Sequence, residues 1–514
     1  MAQPIQTPGV YIAEQNAFPN SVVPVATAVP AFIGYTEKAA RNQQSLTNVP
    51  TRISSLGEYH TLFGAGPDTR YELSMSTNNA KPFALNTQIE TRFLLYHSMK
   101  LFFANGGSDC FIVSIGDYHQ KPGLADFDGA SEENGKRHVK GIAALEAAPE
   151  PSLLVIPDAV LLGAEDCATV QRLMLAHCAK MASRFAILDV YMDENDQKQP
   201  DTQQIVQDFR NRIGTDHLAW GAAYYPWLHT SVTVGEDVLF RHVARGSWEN
   251  LIQLLLAETD EAVLNVLDKK RADTIRTEIH KIRDAGTEDA TGKHDKVLHQ
   301  TLMAVSPLYQ AIMTAIREKL SFLPPSAAIA GVYCMVDNQM GVFKAPANIG
   351  ISSVSRPAVN LTNEAQEDLN APLDGKAVNA IRTFPGKGVL AWGARTLDGN
   401  SQDWRYVSVR RTLIYIEQSV KFALEAYVFE PNDANTWTTV QALISNFLTN
   451  FWMQGGLAGT KPNDAFSVAI GLGTTMTAAD VQNCIMRVTV MVAVIRPAEF
   501  IVITFQQKMH HPPN

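Results

Sequence analysis

The stretch LLVIPDAVLLGAEDCATVQRLMLAHCAKMASRFAILDV (153–190) decides the fold class of this chain. It holds two short apolar runs, LLVIP at 153–157 and FAILDV at 185–190, on either side of a helical pattern at 166–182. Apolar strands that alternate with helices of this length are typical of a parallel or mixed sheet with right-handed crossovers. The segment therefore predicts an α/β architecture.

The same alternation continues on both sides of this segment. Downstream, a helical pattern at 202–213 leads to a third apolar run, LAWGAAYY at 218–225. Upstream, VPAFIGY at 29–35 predicts a strand, and LFFANGGSDCFIVSIG at 101–116 predicts the end of a helix, a Gly-Gly turn and a buried strand. We expect residues 26–323 to form an α/β region.

The chain becomes highly charged between 258 and 296. Within this stretch Ile275, Ile279 and Ile282 keep the i, i+4, i+7 spacing of a helix. This pattern predicts a solvated helix that packs by one apolar stripe. The polar stretch GTEDATGKHD (286–295) that follows has the composition of an exposed loop.

A third region, of α+β character, begins after Pro324-Pro325. Two core-facing helices are predicted at 411–426 and 436–454, followed by strands at 487–495 and 500–505. The apolar stripe of the second helix consists of Trp437, Val440, Ile444, Phe447 and Phe451. The last strand is apolar on both faces, so it must be covered on both sides.

The first 25 residues predict an extended arm. They carry four prolines around one short apolar stretch, Val10-Tyr11-Ile12, which Pro8-Gly9 precedes. An arm of this kind has little core of its own.

Composition and length predict a folded chain with more than one domain. The 514 residues, 46% of them hydrophobic, exceed the size at which a single core keeps growing. A net charge of -9 disfavours nucleic-acid binding, which depends on Lys and Arg at phosphates. No apolar run approaches the roughly 18 to 20 residues that span a bilayer, and the opening MAQPIQTPG lacks the parts of a secretion signal. We therefore expect no nucleic-acid binding, no membrane insertion and a cytoplasmic location.

The cysteines are expected to be reduced and mostly buried, because they form no C-x-x-C pair and no ligand set with histidines. They are Cys110, Cys167, Cys178, Cys334 and Cys484.

Asp158 and Asp189 are the sharpest candidates for catalysis. They follow or end two predicted parallel strands, where open α/β sheets place ligand-binding groups. An α/β hydrolase that uses one of them is therefore a competing hypothesis. Against it, no Gly-rich phosphate loop follows either strand, and acidic residues at strand ends often cap the next turn or helix.

Other chemical motifs are incomplete. FPGKG at 384–388 lacks the earlier glycine and the Ser or Thr of a phosphate loop, and Gly471 and Gly473 complete no dinucleotide fingerprint, so all of them predict turns. The sequence contains no H-E-x-x-H and no G-x-S-x-G pattern. The most closely spaced histidines, which we expect to be solvated, are His294, His299, His510 and His511. We expect no catalytic residue, no cofactor and no metal.

Segments from both ends and the middle of the chain carry a more specific signal. The longest are PPSAAIAGVYCMVDNQMGVFKAPAN (324–348) and NAIRTFPGKGVLAWGARTL (379–397). Others are WRYVSVRRTLIYIEQSV (404–420), YVFEPND (427–433), RPAEFIVITF (496–505), TPGVYI (7–12), NGGSDCFIVSI (105–115) and YYPWL (224–228). Together, and in their order along the chain, they resemble the phage tail sheath family, which includes the sheaths of R-type pyocins and of extracellular contractile injection systems.

The resemblance implies a structural polymer that catalyses no reaction. Sheath subunits of this kind form stacked six-fold rings around an inner tube, assemble in an extended state on a baseplate, and contract to drive the tube through a target envelope. The implied partners are other copies of the chain, an inner tube protein, and baseplate and terminal cap proteins. Assembly is expected in the cytoplasm, and release of the finished phage-tail-like particle from the cell is left open.

The resemblance also implies a division of the chain. Residues 1–25 are the N-terminal arm, 26–323 an outer α/β region with a surface elaboration at about 236–299, 324–495 the inner C-terminal domain, and 496–514 a C-terminal strand arm. A contact with the tube is expected from the inner domain, through the polar side of the helix at 436–454 or through residues 477–483.

The two arms give the polymer a physical basis, because each can add a strand to the sheet of a neighbouring subunit. The strand residues are Val10, Tyr11 and Ile12 in the first arm and Phe500, Ile501, Val502, Ile503, Thr504 and Phe505 in the second. The alternative is that both termini pair within their own chain. A structural tail polymer without a tube partner and the α/β hydrolase are the competing functions.

Overall fold

The computed structural model describes residues 21–76, 81–133, 136–193, 200–265, 268–283 and 293–500. The chain divides into two compact units. The C-terminal unit holds residues 21–25 and Thr412–Ile495, and the α/β unit holds Ala26–Arg411 and residues 496–500.

The structure contains both strands and helices, as the sequence predicts for a mixed α/β and α+β chain. The strands are β1 Pro30–Thr36, β2 Ala40–Arg41, β3 Gln44–Ser45, β4 Thr51–Ile53, β5 Tyr71–Met75, β6 Phe83–Thr87, β7 Cys110–Asp117, β8 Asp128–Glu133, β9 Lys136–Lys140, β10 Leu153–Val155, β11 Phe185–Asp189, β12 Gly221–Tyr225, β13 Leu228–Thr230, β14 Phe322–Leu323, β15 Ile349–Gly350, β16 Val354–Pro357, β17 Val378–Phe384, β18 Gly388–Ala391, β19 Phe466–Ala469 and β20 Thr489–Val492. The helices are α1 Leu56–Phe63, α2 Leu95–Ala104, α3 Leu124–Phe127, α4 Gly141–Ala144, α5 Ala164–Met181, α6 Thr202–Ile213, α7 Trp248–Asn265, α8 Lys269–His280, α9 Lys293–Val305, α10 Pro307–Leu320, α11 Ser326–Met340, α12 Asn363–Asn370, α13 Val407–Glu425, α14 Ala434–Met453, α15 Pro462–Ala465 and α16 Ala478–Gln482.

The core of the α/β unit is a nine-stranded sheet in the order β15-β18-β17-β12-β11-β10-β1-β7-β4. The strands from β17 to β7 run parallel, and β4, β18 and β15 pair antiparallel at the two sides. Every residue of β1, β10, β11 and β12 is buried, as continuous apolar runs in a sheet covered on both faces require. The predicted parallel or mixed sheet is confirmed, as a mixed sheet with a parallel centre.

Two predicted boundaries in this region need correction. The run at 218–225 becomes a strand only at Gly221, because Leu218–Trp220 form a 3₁₀ turn. The helix predicted at 411–426 already begins at Val407. In both cases the apolar pattern is right and the local start signal was missed.

The charged segment contributes to a separate hydrophobic core within the α/β unit. Side chains from α7 to α10 pack there with the β5–β6 hairpin, which lies far away in sequence. Ile279 of α8 and Ile282, two residues beyond its end, are fully buried in this core, and Ile275 packs against it, so the predicted apolar stripe is confirmed although the helix ends at His280. The predicted loop at 286–295 lies mostly outside the described residues, which resume at the start of α9.

The C-terminal unit contains α13 from Thr412 onward, the helices α14 to α16, and a two-stranded sheet of β19 and β20. On α14, Val440, Ile444, Phe447 and Phe451 are buried as predicted, and Trp437 is half-buried. The strand predicted at 487–495 is shorter, because only Thr489–Val492 pair with β19 as a strand.

The two compact units differ in their limits from the predicted inner and outer domains. Strands β17 and β18 lie in the nine-stranded sheet, so residues 324–411 group with the α/β unit. The predicted boundary at residue 324 separates the outer layer of the polymer from its inner layer. This assignment of layers stays a prediction.

Candidate assembly site

Asp158 lies at the point where the strand order of the sheet reverses, beside the ends of β1 and β10. Its carboxylate accepts hydrogen bonds from the backbone N–H groups of Tyr35 at 2.9 Å, Leu94 at 2.7 Å and Leu95 at 3.1 Å. The side chain is fully buried. Burial raises its pKa to about 6, although the three N–H donors lower it. Open α/β sheets bind ligands in this crevice, and here the side chain of Asp158 occupies it.

Asp189 at the end of β11 caps the helix α11. It accepts from the Ser326 backbone N–H at 2.7 Å and from the Ser326 hydroxyl at 2.5 Å. It is 3% exposed, and burial raises its pKa to about 7. Both candidate catalytic carboxylates are therefore buried and accept hydrogen bonds from groups of the fold. Neither is accessible to a substrate, so these two residues do not support the hydrolase hypothesis.

The remaining sequence motifs are also structural. Phe384–Gly388 is the turn between β17 and β18, and Gly386, Gly388 and Gly473 have positive φ, as predicted for turn glycines. The prediction that His299 is solvated is wrong, because its ring is buried and lies 2.9 Å from the Tyr309 hydroxyl. His510 and His511 lie outside the described residues.

Four of the cysteines are buried as predicted and Cys484 is exposed. Within the described ranges, no group of three or more His, Cys, Asp or Glu side chains could hold a metal ion. In the same part of the chain no helix is both long and apolar enough to cross a membrane.

Of the predicted arm residues, only Phe500 is described. Val10, Tyr11 and Ile12, and Ile501, Val502, Ile503, Thr504 and Phe505, lie outside the described ranges. The ring of Phe500 is 75% exposed. The segment 496–500 thus brings an exposed aromatic side chain to the point where the predicted strand of the arm begins.

The root of the C-terminal arm is fixed by Glu499. Its carboxylate receives two hydrogen bonds from Arg395, at 2.6 and 3.0 Å, one from Asn370 at 2.9 Å and one from the Tyr406 hydroxyl at 3.2 Å. Burial opposes its ionisation, but the bonds from Arg395 and Asn370 lower its pKa below the ordinary value. The Arg395 side chain is 6% exposed. We call Arg395, Asn370, Tyr406 and Glu499 the arm clasp.

The other end of the described chain is held on α13. The backbone N–H of Val25 donates to the Ser419 hydroxyl at 3.2 Å, and Val22 is buried. Residues 21–25, the described end of the predicted N-terminal arm, are therefore part of the C-terminal unit.

The sheet of β19 and β20 offers the edges that an added strand needs. The two strands pair antiparallel, and Ala493 donates to the Ala465 carbonyl at 2.8 Å just beyond the paired residues. Bonded and non-bonded pairs alternate in an antiparallel ladder, so this contact fixes which peptide groups face outward. The backbone N–H and C=O groups that point away from the partner strand are those of Phe466, Val468, Val490 and Val492.

One outward group is already satisfied, because Gln441 donates to the Val468 carbonyl at 2.9 Å. Beyond a single bridge between Leu457 and Val494, no strand in the described ranges pairs with either outer edge of this sheet. Met491 on its outer face is 63% exposed. An unpaired, partly apolar edge of this kind is a template for another strand.

The two predicted tube-contact surfaces are both accessible. Asn446 and Asn450 are exposed on α14, and the segment Thr477–Asn483 contains the short helix α16. A capping box of Thr477 and Asp480 begins this helix, and Arg487 pairs with Asp480 at 3.0 Å. Their role in binding a tube stays a prediction.

Sequence reasoning missed the arm clasp and the open sheet edge. Arg395 and Glu499 lie in two of the segments that carry the family resemblance, 379–397 and 496–505. Their opposite charges were the available sign that the two residues could form an ion pair. Their pairing could not be read from the sequence because 104 residues separate them.

Comparison with known proteins points to sheath subunits. Residues 400–508 match the phage tail sheath C-terminal domain. Two tail sheath proteins match part of the chain: that of Vibrio phage KVP40 is 25% identical over 139 residues, and that of Salmonella phage ViI is 29% identical over 132 residues. These matches cover 26% and 25% of the chain and 20% of each relative, so the chain matches only a fifth of the length of these relatives.

Solved structures match nearly the whole chain. The sheath complex of an extracellular contractile injection system named PVC, in its contracted state, is 26% identical with a TM-score of 0.58, covering 99% of both chains. The contracted helical sheath of the anti-feeding prophage is 27% identical with a TM-score of 0.59, covering 98% of this chain and 100% of that one. The resemblance to the phage tail sheath family is thus confirmed: residues 400–508 match the family's C-terminal domain, and the fold of the chain is similar to that of contractile injection system sheath subunits.

Proposed function

We propose that this chain is the contractile sheath subunit of a phage-tail-like injection system. It polymerises as stacked six-fold rings around an inner tube and contracts to drive the tube through a target envelope. The observation that carries this proposal is similarity over 98–99% of the chain to sheath subunits solved in the contracted state. The open edge of the β19–β20 sheet and the exposed Phe500 beyond the arm clasp support it.

The link between subunits is strand addition. An arm from one copy, at 10–12 or 500–505, adds to the β19–β20 sheet of another. Each added strand forms about five backbone hydrogen bonds with a net value near 1 kcal/mol each, before apolar burial is counted. Links of this kind hold rings together while the rings rotate and move closer.

Contraction needs no catalysed reaction in the sheath. The energy is stored in the extended lattice, which is metastable toward the contracted one. Asp158 and Asp189, the two candidate catalytic carboxylates, are buried and hydrogen-bonded within the fold. This supports a chain that works by changing its subunit contacts and not by catalysis at these residues.

The same proposal assigns each predicted domain to a layer of the polymer. Residues 324–495 form the inner layer and 26–323 the outer one, with 236–299 as a surface elaboration. The inner layer contacts the tube through the polar side of α14 or through residues 477–483. Assembly occurs in the cytoplasm on a baseplate, with a cap protein at the far end.

Deleting the residues after Arg496 tests the role of the arm. We expect this truncated chain to form no sleeves, because it lacks the added strand and its root at Glu499. Deleting only residues 509–514 is the matched control, because it leaves the predicted strand at 500–505 in place. Pelleting by ultracentrifugation measures assembly in both variants. Sleeves of wild-type length from the first deletion would contradict strand addition by this arm.

A polymer that lacks a tube partner is separated from a sheath by co-assembly. The purified chain is mixed with the inner tube protein of the same injection system at increasing salt concentrations. Tube-filled sleeves that form at low salt and dissociate as salt screens the contact support the sheath. Sleeves that never take up tube favour the tube-independent polymer.

A further inference from the structure

Three buried histidines lie together beside the hydrophobic core that α7 to α10 form, here called the α7–α10 core. His97 lies on α2, His242 ends the 3₁₀ turn that begins at Phe240, and His299 lies on α9. All three are at most 8% exposed, and the charge of His242 acts on both of the other rings. Imidazole changes its charge between about pH 5 and 8. A fold that requires the neutral form of these rings therefore responds to acid.

The hydrogen bonds around His299 require its neutral form. The hydroxyl oxygen of Tyr309 accepts from the Phe240 backbone N–H and lies 2.9 Å from Nδ1 of His299. The hydroxyl hydrogen can be donated to Nδ1 only while that nitrogen carries no proton. Protonation makes both groups donors at this contact, and Tyr309 is fully buried, so its hydrogen would need another acceptor inside the core.

His97 is held neutral by its surroundings. Neither of its ring nitrogens has a hydrogen-bond partner among the residues that the structure describes. Burial, followed by the charge of Lys100, lowers its pKa to about 4. An imidazolium carries two N–H donors, and both would be left unsatisfied at this position.

His242 connects the other two rings electrostatically. Its Nδ1 lies 3.2 Å from the Leu239 backbone nitrogen and 3.1 Å from the Leu239 carbonyl oxygen, so it can accept or donate. Burial nevertheless lowers the pKa of His242 and also that of His299. Because the charge of His242 acts on both neighbours, protons on several rings repel one another.

The charged side chains described near these rings do not compensate for added positive charge. They are Arg92, Lys100 and Asp237 near His97, and Asp68, Arg241 and again Asp237 near His242. Both carboxylates already have a cationic neighbour: Asp237 lies 3.3 Å from Lys100, and Asp68 lies 3.9 Å from Arg241. Glu258 of α7 already accepts two hydrogen bonds from the cap and first turn of α10.

We propose that mild acid opens the α7–α10 core, through protonation of His97, His242 and His299, while the nine-stranded sheet stays folded. An unfolded histidine takes up its proton near pH 6.5, whereas these rings stay neutral in the fold to lower pH. The stability of this core is therefore fully present above about pH 6.5 and falls as the pH drops toward 4. Each ring shifts the opening equilibrium by at most about tenfold per pH unit. The inference does not depend on the proposed function, because it concerns a core within one subunit.

Hydrogen exchange of the full-length, unassembled chain, followed by mass spectrometry at pH 6.5 and pH 4.5, tests the inference. Each exchange rate is divided by the intrinsic rate at the same pH, so the ratio reports the local opening equilibrium. We expect segments 238–243 and 298–316 to lose protection by about tenfold or more at the lower pH. The strands β10 and β11 are the internal reference and should change by less than about threefold.

A triple variant that cannot titrate identifies the groups responsible. His97→Leu fills its site with an apolar side chain. In His242→Asn and His299→Asn, the amide oxygen accepts the bonds that Nδ1 accepts from Leu239 and Tyr309. We expect the triple variant to keep its protection at pH 4.5.

The matched control is His280→Asn, at an exposed histidine on α8. It should lose protection in acid as the wild type does. His97→Leu alone should lose less protection than the wild type, and it supplies the readout if the triple variant does not fold.

Two results contradict the inference. If segments 238–243 and 298–316 lose no more protection than β10 and β11, acid does not open the α7–α10 core selectively. If the triple variant or His97→Leu loses as much protection as the wild type, groups other than these histidines take up the protons. Neither result bears on sleeve formation, which the unassembled chain does not measure.

Discussion

Asp158 follows β10 and Asp189 ends the neighbouring strand β11, but the two carboxylates satisfy different donors. Asp158 accepts from three backbone N–H groups, which can only donate. Asp189 accepts from one backbone N–H and from the Ser326 hydroxyl, which can either donate or accept. The two sites should therefore tolerate an amide differently.

Replacing each aspartate by asparagine tests these structural roles. Asp158→Asn directs an NH₂ group at backbone N–H donors, so we expect it to lower the free energy of unfolding by roughly 1–3 kcal/mol. Asp189→Asn is the matched variant: its amide oxygen accepts from the Ser326 N–H while its NH₂ group donates to the hydroxyl. Chemical denaturation at pH 8 should show a loss for the first variant and none for the second. Equal losses in both would contradict these assignments.

The raised pKa of Asp189 also predicts a pH dependence. The folded chain holds this proton to about pH 7, above the ordinary value of about 3.9 for an unfolded aspartate. Its contribution to stability is therefore fully present below about pH 4 and is lost as pH rises to 7, by at most about 1.4 kcal/mol per pH unit. The free energy of unfolding of the wild type, minus that of Asp189→Asn, should fall between pH 5 and pH 8. A constant difference would show that Asp189 is ionised throughout.

Among the elements, the arm clasp connects the α/β unit to the start of the C-terminal arm. Glu499→Gln keeps a group that can bond to Asn370 but leaves the buried Arg395 without its counter-ion. Removing one partner of a largely buried pair typically costs a few kcal/mol, and here that cost is local to segment 496–500. We expect faster proteolysis at Arg496 and fewer sleeves, with little change in the melting temperature of the whole chain.

The control for the clasp is Asp403→Asn. Asp403 lies 3.8 Å from Arg496, and both side chains are exposed, at 80% and 51%. Exposed pairs contribute little, so this variant should assemble and resist proteolysis as the wild type does. If both variants behave alike, Glu499 does not fix the arm root.

The open edge of β20 gives a second prediction for an element. Val490→Pro removes an N–H that points away from β19, so it leaves the pairing within the two-stranded sheet intact while blocking a strand added outside it. We expect a folded chain that forms no sleeves, measured by circular dichroism and by pelleting. Val490→Thr is the control because it keeps both the N–H and the side-chain shape. Assembly of Val490→Pro at wild-type levels would show that this edge receives no strand.

The sequence predicted the elements that depend on local periodicity. β1, β11 and α6 follow from apolar runs and helical spacing, and the buried stripe of α14 follows from Val440, Ile444, Phe447 and Phe451. Contacts between distant segments were not predictable in this way. The packing of the β5–β6 hairpin with α7 and the pairing of Arg395 with Glu499 depend on tertiary structure, and a single sequence shows no periodicity that connects them.

At the scale of the whole molecule, a sheath function accounts for exposed apolar and unpaired surfaces that an enzyme function does not explain. Within the described residues, no strand pairs with the outer edges of the β19–β20 sheet beyond a single bridge, and Phe500 beyond the arm clasp is exposed. Each is a disadvantage in a monomer. We propose that each becomes a contact in a helical polymer, where the loss or exchange of such contacts moves the lattice between an extended and a contracted form.

Negative-stain electron microscopy of the purified full-length chain, alone and then with its neighbouring tube protein, tests the central claim most directly. We predict hollow, cog-wheel-like cylinders with six-fold end views, and cylinders filled by tube in the mixture. Uniformly small particles under both conditions would contradict the account, because a contractile sheath subunit must form a sleeve.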